Sequence, residues 1–145
     1  MAVDVKSLVK EILDGGYVMS LATADDDGVW ASDVIFVHDD DFNIYWMSNV
    51  NVRHSKALAQ NPQAAGTITL SGRGENSRGI QFAGAAEKVE SIGAGLLVRY
   101  FLKRGIPLPK EGEMTEGESW YVIKPKKIDV IDEKLFGYGK QKIEL

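Results

Sequence analysis

The spacing of apolar residues predicts a helix at the start of the chain. Between residues 3 and 14, apolar side chains recur every three or four positions, with charged residues between them. That spacing is typical of an amphipathic helix with one buried face. Asp4 stands where a helix N-cap is expected, and Gly15-Gly16 marks the end of the helix.

Most of the remaining chain has the shorter period of β-strands. Strands are predicted at 17–23, 29–37, 42–47, 64–70, 79–89 and 143–145, and in a long interrupted stretch from 120 to 131. Acidic turns at 25–28 and 38–41 separate the first three strands, so we expect these to pair in order as a meander. Gly84 falls inside a strand, which predicts a bulge or a close approach of backbone.

Two further helices interrupt the strands. One is predicted over 53–60, ahead of Pro62, and the other over 91–103, ended by Gly105. The Gly-rich segment 71–77 leads into a strand, so it is interpreted as a hairpin connection. Residues 110–117 are predicted to form a polar loop, and 136–139 a turn.

Strands joined mainly by hairpins favour an antiparallel barrel. The fold class predicted is mainly β, a six-stranded antiparallel barrel with inserted helices. The absence of βαβ alternation and of a Gly-x-Gly-x-x-Gly loop after the first strand argues against a dinucleotide-binding domain. We expect one domain over 1–145, with an N-terminal helix at 1–14 and a C-terminal tail at 132–145.

Composition removes several classes of function. The 145 residues carry a net charge of −4, which is unfavourable for non-specific binding to nucleic acid. There is no cysteine, and the two histidines are far apart in sequence with no evident serine partner, so the sequence favours neither a metal site nor a catalytic triad. No signal pattern and no bilayer-length apolar run is present, and we expect a cytoplasmic protein without membrane contact.

The strongest candidate chemistry lies where a strand passes into a helix, over 48–56. A helix N-terminus offers free backbone N–H groups and the positive end of the helix dipole. Arg53 and Lys56 are three apart and share a helix face, and Ser48 and Asn49 stand at the strand end. This combination is suited to a phosphate. The alternative is that the basic residues form only a solvated first turn.

The order of these segments resembles the pyridoxamine-phosphate-oxidase-like FMN-binding split barrels. The landmarks are Tyr17-Val18-Met19-Ser20-Leu21-Ala22-Thr23, Tyr45-Trp46-Met47-Ser48-Asn49, Arg53-His54-Ser55-Lys56-Ala57-Leu58, Asn61-Pro62 and Gly79-Ile80-Gln81-Phe82-Ala83-Gly84. The strand from Gly79 to Gly84, together with the tail 135–142, looks most similar to the short YhbP-like branch. The resemblance covers nearly the whole chain.

The resemblance implies a homodimer with FMN at the subunit interface. It assigns the FMN phosphate to Ser48, Arg53 and Lys56, with Asn49 and His54 as contributors. It also implies that the strand beginning Ser32-Asp33-Val34 lies along the isoalloxazine ring. Trp120 matches a tryptophan that the family places near the ring or the dimer interface.

The C-terminal segment departs from the family. Residues 133–145 contain no His and no Arg, although pyridoxamine phosphate oxidases carry an Arg-and-His substrate motif there. We therefore expect an FMN-dependent oxidoreductase with an unknown substrate rather than a pyridoxamine phosphate oxidase. Two alternatives stay open: a protein that binds haem or another planar ligand through His38 or His54, and a cofactor-free dimer.

Overall fold

The computed structural model describes residues 3–110 and 116–145, so most of the predicted loop 110–117 lies outside the described residues. The elements in the described ranges are α1 (Val5–Gly15), β1 (Val18–Asp25), β2 (Gly28–Ile35), β3 (Val37–His38), β4 (Ile44–Asn49), α2 (Arg53–Gln60), β5 (Gln63–Thr69), β6 (Arg78–Val89), α3 (Ala94–Arg104), β7 (Glu118–Asp132), α4 (Glu133–Phe136) and β8 (Gln141–Glu144). None of these helices has the length and apolar character needed to cross a lipid bilayer.

Helix α1 forms for the reasons that the sequence indicates. The Asp4 carboxylate accepts hydrogen bonds from the backbone N–H groups of Lys6 and Ser7, which satisfies donors of the first turn. The buried face, at helical spacing, consists of Leu8, Val9, Ile12 and Leu13. These side chains join the larger of two hydrophobic clusters, which fills the inside of the sheet. The predicted helix and its cap are confirmed.

The strands form one curled antiparallel sheet. Its order is β2-β1-β5-β6-β7-β4-β3, and β8 pairs with β7. Strands β2 and β3 follow each other in the chain with only Phe36 between them, yet they lie at opposite ends of this order. The sheet must therefore curl round until its two ends meet. The mainly β, split-barrel architecture that the sequence predicts is confirmed, but the described residues form eight strands rather than the six predicted, because the predicted strand 29–37 is divided and β8 is added.

The predicted three-strand meander is confirmed only in part: Val37 and His38 pair with β4 across the turn 38–41, but the rest of the predicted strand 29–37 does not. Strand β4 pairs with β3 and with β7, and not with β2. The predicted strand 29–37 is divided at Phe36, whose side chain is fully buried. The Phe36 carbonyl accepts a hydrogen bond from the Lys103 ammonium at 2.6 Å, so it is taken out of the strand ladder. The two halves of the strand consequently pair with different neighbours.

The bulge predicted at Gly84 is present. The register between β6 and β7 shifts between Ala83 and Gly84, and Gly84 pairs with Pro125. A Cβ at Gly84 would overlap with the Lys124 carbonyl oxygen, so only glycine allows this approach. Pro125 lacks the N–H that a regular ladder needs, and the bulge accommodates it. The final strand therefore runs unbroken through the interruption that the sequence predicts.

A smaller hydrophobic cluster attaches α3 to the outside of the sheet. Trp120 on β7 lies edge-on to Tyr100 at 4.9 Å and to Phe101 at 6.4 Å, measured between ring centroids. Offset and edge-on aromatic pairs are favourable beyond their buried area. Helix α3 ends at Gly105, whose left-handed backbone is common at helix C-termini and is accessible to glycine at little cost.

Candidate functional site

The connection from β4 into α2 is shaped by Asn49. Along β4, burial alternates, so Ser48 points inward and Asn49 lies at the edge of the surface. The Asn49 side-chain oxygen accepts the Asn51 N–H at 2.8 Å, and the Asn49 carbonyl accepts the Val52 N–H at 3.3 Å. These bonds turn the chain within three residues and begin the helix at Arg53. Asn49 therefore has a structural role at this turn.

Helix α2 begins without a side-chain cap. Its N-cap residue is Val52, which has no acceptor, and its first turn contains no acidic residue. The N–H groups of a first helical turn have no partner within the helix, and here no side chain accepts from them at the cap. An uncapped terminus retains the positive end of the helix dipole, which favours a bound anion.

Arg53 is fixed in place beside this terminus by two partners. Its Nε and Nη2 atoms donate to the two carboxylate oxygens of Asp25 at 2.9 and 3.1 Å, as a bidentate pair. The guanidinium also lies 4.4 Å from the centre of the Trp30 ring. The hydrogen bond raises the pKa of Arg53 and lowers the pKa of Asp25. Sequence reasoning missed both partners, because they lie more than twenty residues earlier in the chain.

Ser48 and His54 form a buried pair with each other. Ser48 Oγ and His54 Nε2 are 2.9 Å apart, and each residue is 8% exposed. Burial lowers the pKa of His54, so its ring is neutral at pH 7. The pair connects β4 to the underside of α2. The Ser48 hydroxyl and Nε2 of His54 face each other, so these two groups are not presented to an external ligand.

Lys56 lies on the open side of α2, in a crevice of about 450 Å³. The crevice is lined by the acidic β1–β2 turn on one side and by α2 on the other: Asp25, Asp26, Asp27, Asn51, Arg53, Lys56, Ala57 and Gln60. Arg53 and Lys56 supply its positive charge. The site thus brings together a basic pair and an acidic turn that the sequence analysis treated separately.

The barrel is open beside this crevice. In the part of the chain that the structure describes, β2 pairs with β1 alone, so its other edge forms no ladder. Strand β4 pairs with β3 only through Ile44 and Tyr45, and its later residues pair only with β7. Backbone N–H and C=O groups on the open edge of β2 are therefore free to bind a ligand.

The other predicted site residues occupy different environments. Ser32 is half-buried on β2, and Val34 is buried. Asp33 is exposed, and its carboxylate accepts the Ser20 hydroxyl at 2.6 Å. Trp120 is 4% exposed and covered by α3, away from the residues of the α2 crevice. Ser32 to Val34 can thus offer a ligand mainly their backbone.

These residues fit a flavin nucleotide in part. The phosphate matches Arg53, Lys56 and the uncapped terminus of α2, and the polar edge of a planar ring matches the open backbone of β2. Ser48 and His54 do not fit a direct phosphate contact, because they are buried and bonded to each other. The acidic turn reduces the net positive charge of the crevice.

Comparison with known proteins identifies the class. The model of the family described as pyridoxamine 5'-phosphate oxidase matches residues 5–132, and the chain belongs to this family. The resemblance seen in the sequence is thereby confirmed. The UPF0306 protein plu4501 of Photorhabdus laumondii is 33% identical over 85 residues, which are 57% of this chain and 59% of that relative. The match thus spans less than two thirds of that relative.

Solved structures share the fold. General Stress Protein 26 from Bacillus anthracis has a TM-score of 0.70 and 19% identity, over 99% of this chain and 100% of that chain. A haem-binding protein from Mycobacterium smegmatis has a TM-score of 0.74 and 19% identity, over 99% of this chain and 59% of that chain. At this identity, the likeness extends to the fold and not to the ligand.

Proposed function

We propose that the protein binds FMN and acts as a flavin-dependent oxidoreductase of unknown substrate. One observation carries the proposal: Arg53 is held at an uncapped helix N-terminus, next to an open strand edge. Membership in the pyridoxamine 5'-phosphate oxidase family supports a flavin as the ligand. When bound, the flavin supplies hydride or single-electron transfer, and the protein supplies binding, orientation and electrostatics.

The phosphate end of FMN would rest on α2. Asp25 engages Nε and Nη2 of Arg53, so Nη1 retains its donors for a phosphate oxygen. Asp25 and Trp30 hold the guanidinium in one orientation, which reduces the entropy lost on binding. Lys56 extends from the same side of the helix and adds a second charge. Asp26 and Asp27 are exposed, so water and salt screen their repulsion of the phosphate.

The ring end would lie along β2. The open edge of this strand offers alternating N–H and C=O groups, which match the donors and acceptors on the pyrimidine side of an isoalloxazine. Ser32, Asp33 and Val34 would contribute backbone groups. In this arrangement Ser48, Asn49 and His54 support the site: they hold β4 and the start of α2 in position.

A second copy of the chain would complete the site. Trp30, which is 46% exposed, packs against Arg53 at the α2 crevice, and its neighbour Val29 on β2 is 77% exposed. Apolar side chains at this exposure favour a protein contact, and a second copy there would cover the outer face of the ring. We therefore propose a homodimer with FMN at the interface, to which Trp120 contributes only indirectly, since it is buried within its own chain.

Haem is the second candidate ligand, because a haem-binding protein shares this fold. Both histidines of the chain are buried, however. His38 contacts Asp14 at 2.6 Å and the Asp39 carbonyl at 3.0 Å, and His54 contacts Ser48. A haem ligated by His38 would have to break one of its two contacts, and one ligated by His54 would have to reach a ring that is only 8% exposed, whereas the proposed FMN site requires neither. The geometry favours FMN.

The test compares ligands that differ only at the phosphate. Calorimetric titration of the purified protein with FMN and with riboflavin is expected to give at least tenfold tighter binding of FMN, since riboflavin lacks the phosphate. Arg53→Ala should remove this preference, and Lys134→Ala, an exposed lysine on α4, should retain it. Equal affinities for FMN and riboflavin would show that α2 does not bind the phosphate. A Soret band after haem addition, with no FMN binding, would favour haem.

A further inference from the structure

A second crevice lies on a different part of the molecule. It has a volume of about 250 Å³ and is formed where the end of α1, strand β3 and helix α3 meet. Its lining consists of Leu13, Asp14, Val37, His38, Arg99 and Lys103. None of these residues belongs to the α2 crevice, and the flavin proposal leaves all of them without a role.

Lys103 is held with its ammonium group at this crevice. Its Nζ atom donates to the Phe36 carbonyl at 2.6 Å and lies 3.6 Å from the centre of the Phe36 ring. Within the described residues, no carboxylate oxygen lies within salt-bridge distance of this ammonium. Burial lowers the pKa of Lys103 to about 8, and the charge of Asp14 raises it again only in part. The positive charge here is desolvated and weakly compensated.

Arg99 adds a second cation on the same face. It precedes Lys103 by four residues on α3, so the two side chains are neighbours on the helix surface. Like charges at this spacing destabilise a helix by a few tenths of a kcal/mol. In residues 3–110 and 116–145, Arg99 also has no salt bridge. Two cations therefore face one crevice without a described acidic partner for either.

The carboxylate that lines the crevice, that of Asp14, already contacts the His38 ring. Asp14 lies 2.6 Å from Nε2 of His38, and Nδ1 of the same ring lies 3.0 Å from the Asp39 carbonyl. Both nitrogens of the buried His38 ring thus face oxygen acceptors. His38 engages Oδ1 of Asp14, and neither Arg99 nor Lys103 forms a salt bridge with this carboxylate, so both cations keep unused donors.

We propose that this crevice binds a small anion of the phosphate or carboxylate class, with Arg99 and Lys103 as its ligands. Arg99 would supply a planar pair of donors, and Lys103 a point charge. The volume is below the range typical of sites for drug-sized ligands, which limits the ligand to an inorganic anion or a short organic acid. The proposal does not depend on the flavin site.

Nuclear magnetic resonance can follow the two histidines and Lys103 separately. Inorganic phosphate and acetate are titrated at constant ionic strength into the full chain carrying Arg53→Ala, which removes the other proposed anion site. We expect saturable shifts of the His38 ring and of the Lys103 Cε signals, with His54 unmoved. The anion with the lower Kd identifies the class.

Variants test whether Arg99 and Lys103 are the side chains that bind the anion. In the same background, Arg99→Met and Lys103→Met should each weaken binding at least tenfold, the scale of a lost charged hydrogen bond, and Lys134→Met should leave it unchanged. Arg99 is exposed, so its variant is expected to fold, and circular dichroism verifies this. Shifts that grow linearly without saturation, or unchanged affinity in the Arg99 variant, would overturn the proposal.

Discussion

The neutral, buried His54 makes the stability of the fold depend on pH in a defined direction. Burial lowers the pKa of His54 in the folded state below its ordinary value of 6.5. As the pH falls through 6.5, the unfolded chain takes up a proton on this ring, and the folded chain does so only at lower pH. The unfolded state then binds more protons, so the free energy of unfolding falls with pH. Above pH 6.5 the unfolded ring is also mostly neutral, so the neutral His54 then costs the folded state no stability relative to the unfolded state.

The stability that the protein loses on acidification through His54 has an upper bound. If folded His54 takes up no proton, the loss between about pH 7.5 and about pH 5.5 is one full factor of ten in the unfolding equilibrium, or about 1.4 kcal/mol. Any protonation of the folded ring in this range reduces that figure. The loss concerns the functional site directly, because the titrating ring is the one that connects α2 to β4 through Ser48.

Urea denaturation of wild type and His54→Gln at these two pH values isolates the effect. The glutamine keeps a polar group near Ser48 but does not titrate, and other titrating groups cancel in the comparison. We expect wild type to lose up to about 1.4 kcal/mol more than the variant on acidification. His38→Gln is the matched control for losing a buried histidine. Equal pH dependence in wild type and His54→Gln would refute the argument.

Three further predictions test the site and the fold. Arg53→Lys keeps the charge but loses the planar fork held by Asp25, so the Kd for FMN should rise about tenfold in calorimetry, while the Kd for riboflavin should stay the same. Gly84→Ala should destabilise the protein by at least about 2 kcal/mol in urea denaturation, since its Cβ meets backbone of β7. Gly95→Ala on α3, where a Cβ meets nothing, should be neutral or stabilising by up to about 1 kcal/mol. Lys103→Met removes a desolvated charge and also the donor to the Phe36 carbonyl, so the charge is tested by pH dependence rather than by the sign of the change at one pH. Without added anion, wild type should gain stability relative to Lys103→Met in urea denaturation as the pH rises from about 8 to about 10.5, where the unfolded lysine also becomes neutral; a pH-independent difference would contradict the cause.

Helices and strand positions were predictable because their signals are local. The amphipathic spacing of α1, the capping Asp4 and the terminating Gly105 each act within a few residues of the element that they define. The bulge at Gly84 could be predicted because a glycine weakens a strand, and its presence inside one often marks a bulge or a close approach of backbone. The resemblance to a known family extended these local signals to a split barrel, and the family match confirms it.

Pairing was less predictable, because it depends on contacts across the barrel. The predicted strand 29–37 ends in a continuous apolar run at 34–37, and nothing local shows that it divides at Phe36. The division follows from the burial of that ring and from Lys103, 67 residues later, which binds its carbonyl. A meander and a closing barrel have the same alternation along each strand, so the pattern alone could not separate them.

The sequence by itself determined that a basic cluster stands at a helix N-terminus, because residue order along a helix decides which side chains share a face. Only the tertiary structure decided what each member contacts. It turned Ser48 and His54 towards each other inside the protein, and it bound Arg53 to Asp25 and Trp30. It also brought Asp14, His38, Arg99 and Lys103 to one crevice. The physical reason is that side chains far apart in sequence select their partners only when the sheet closes and excludes water from between them.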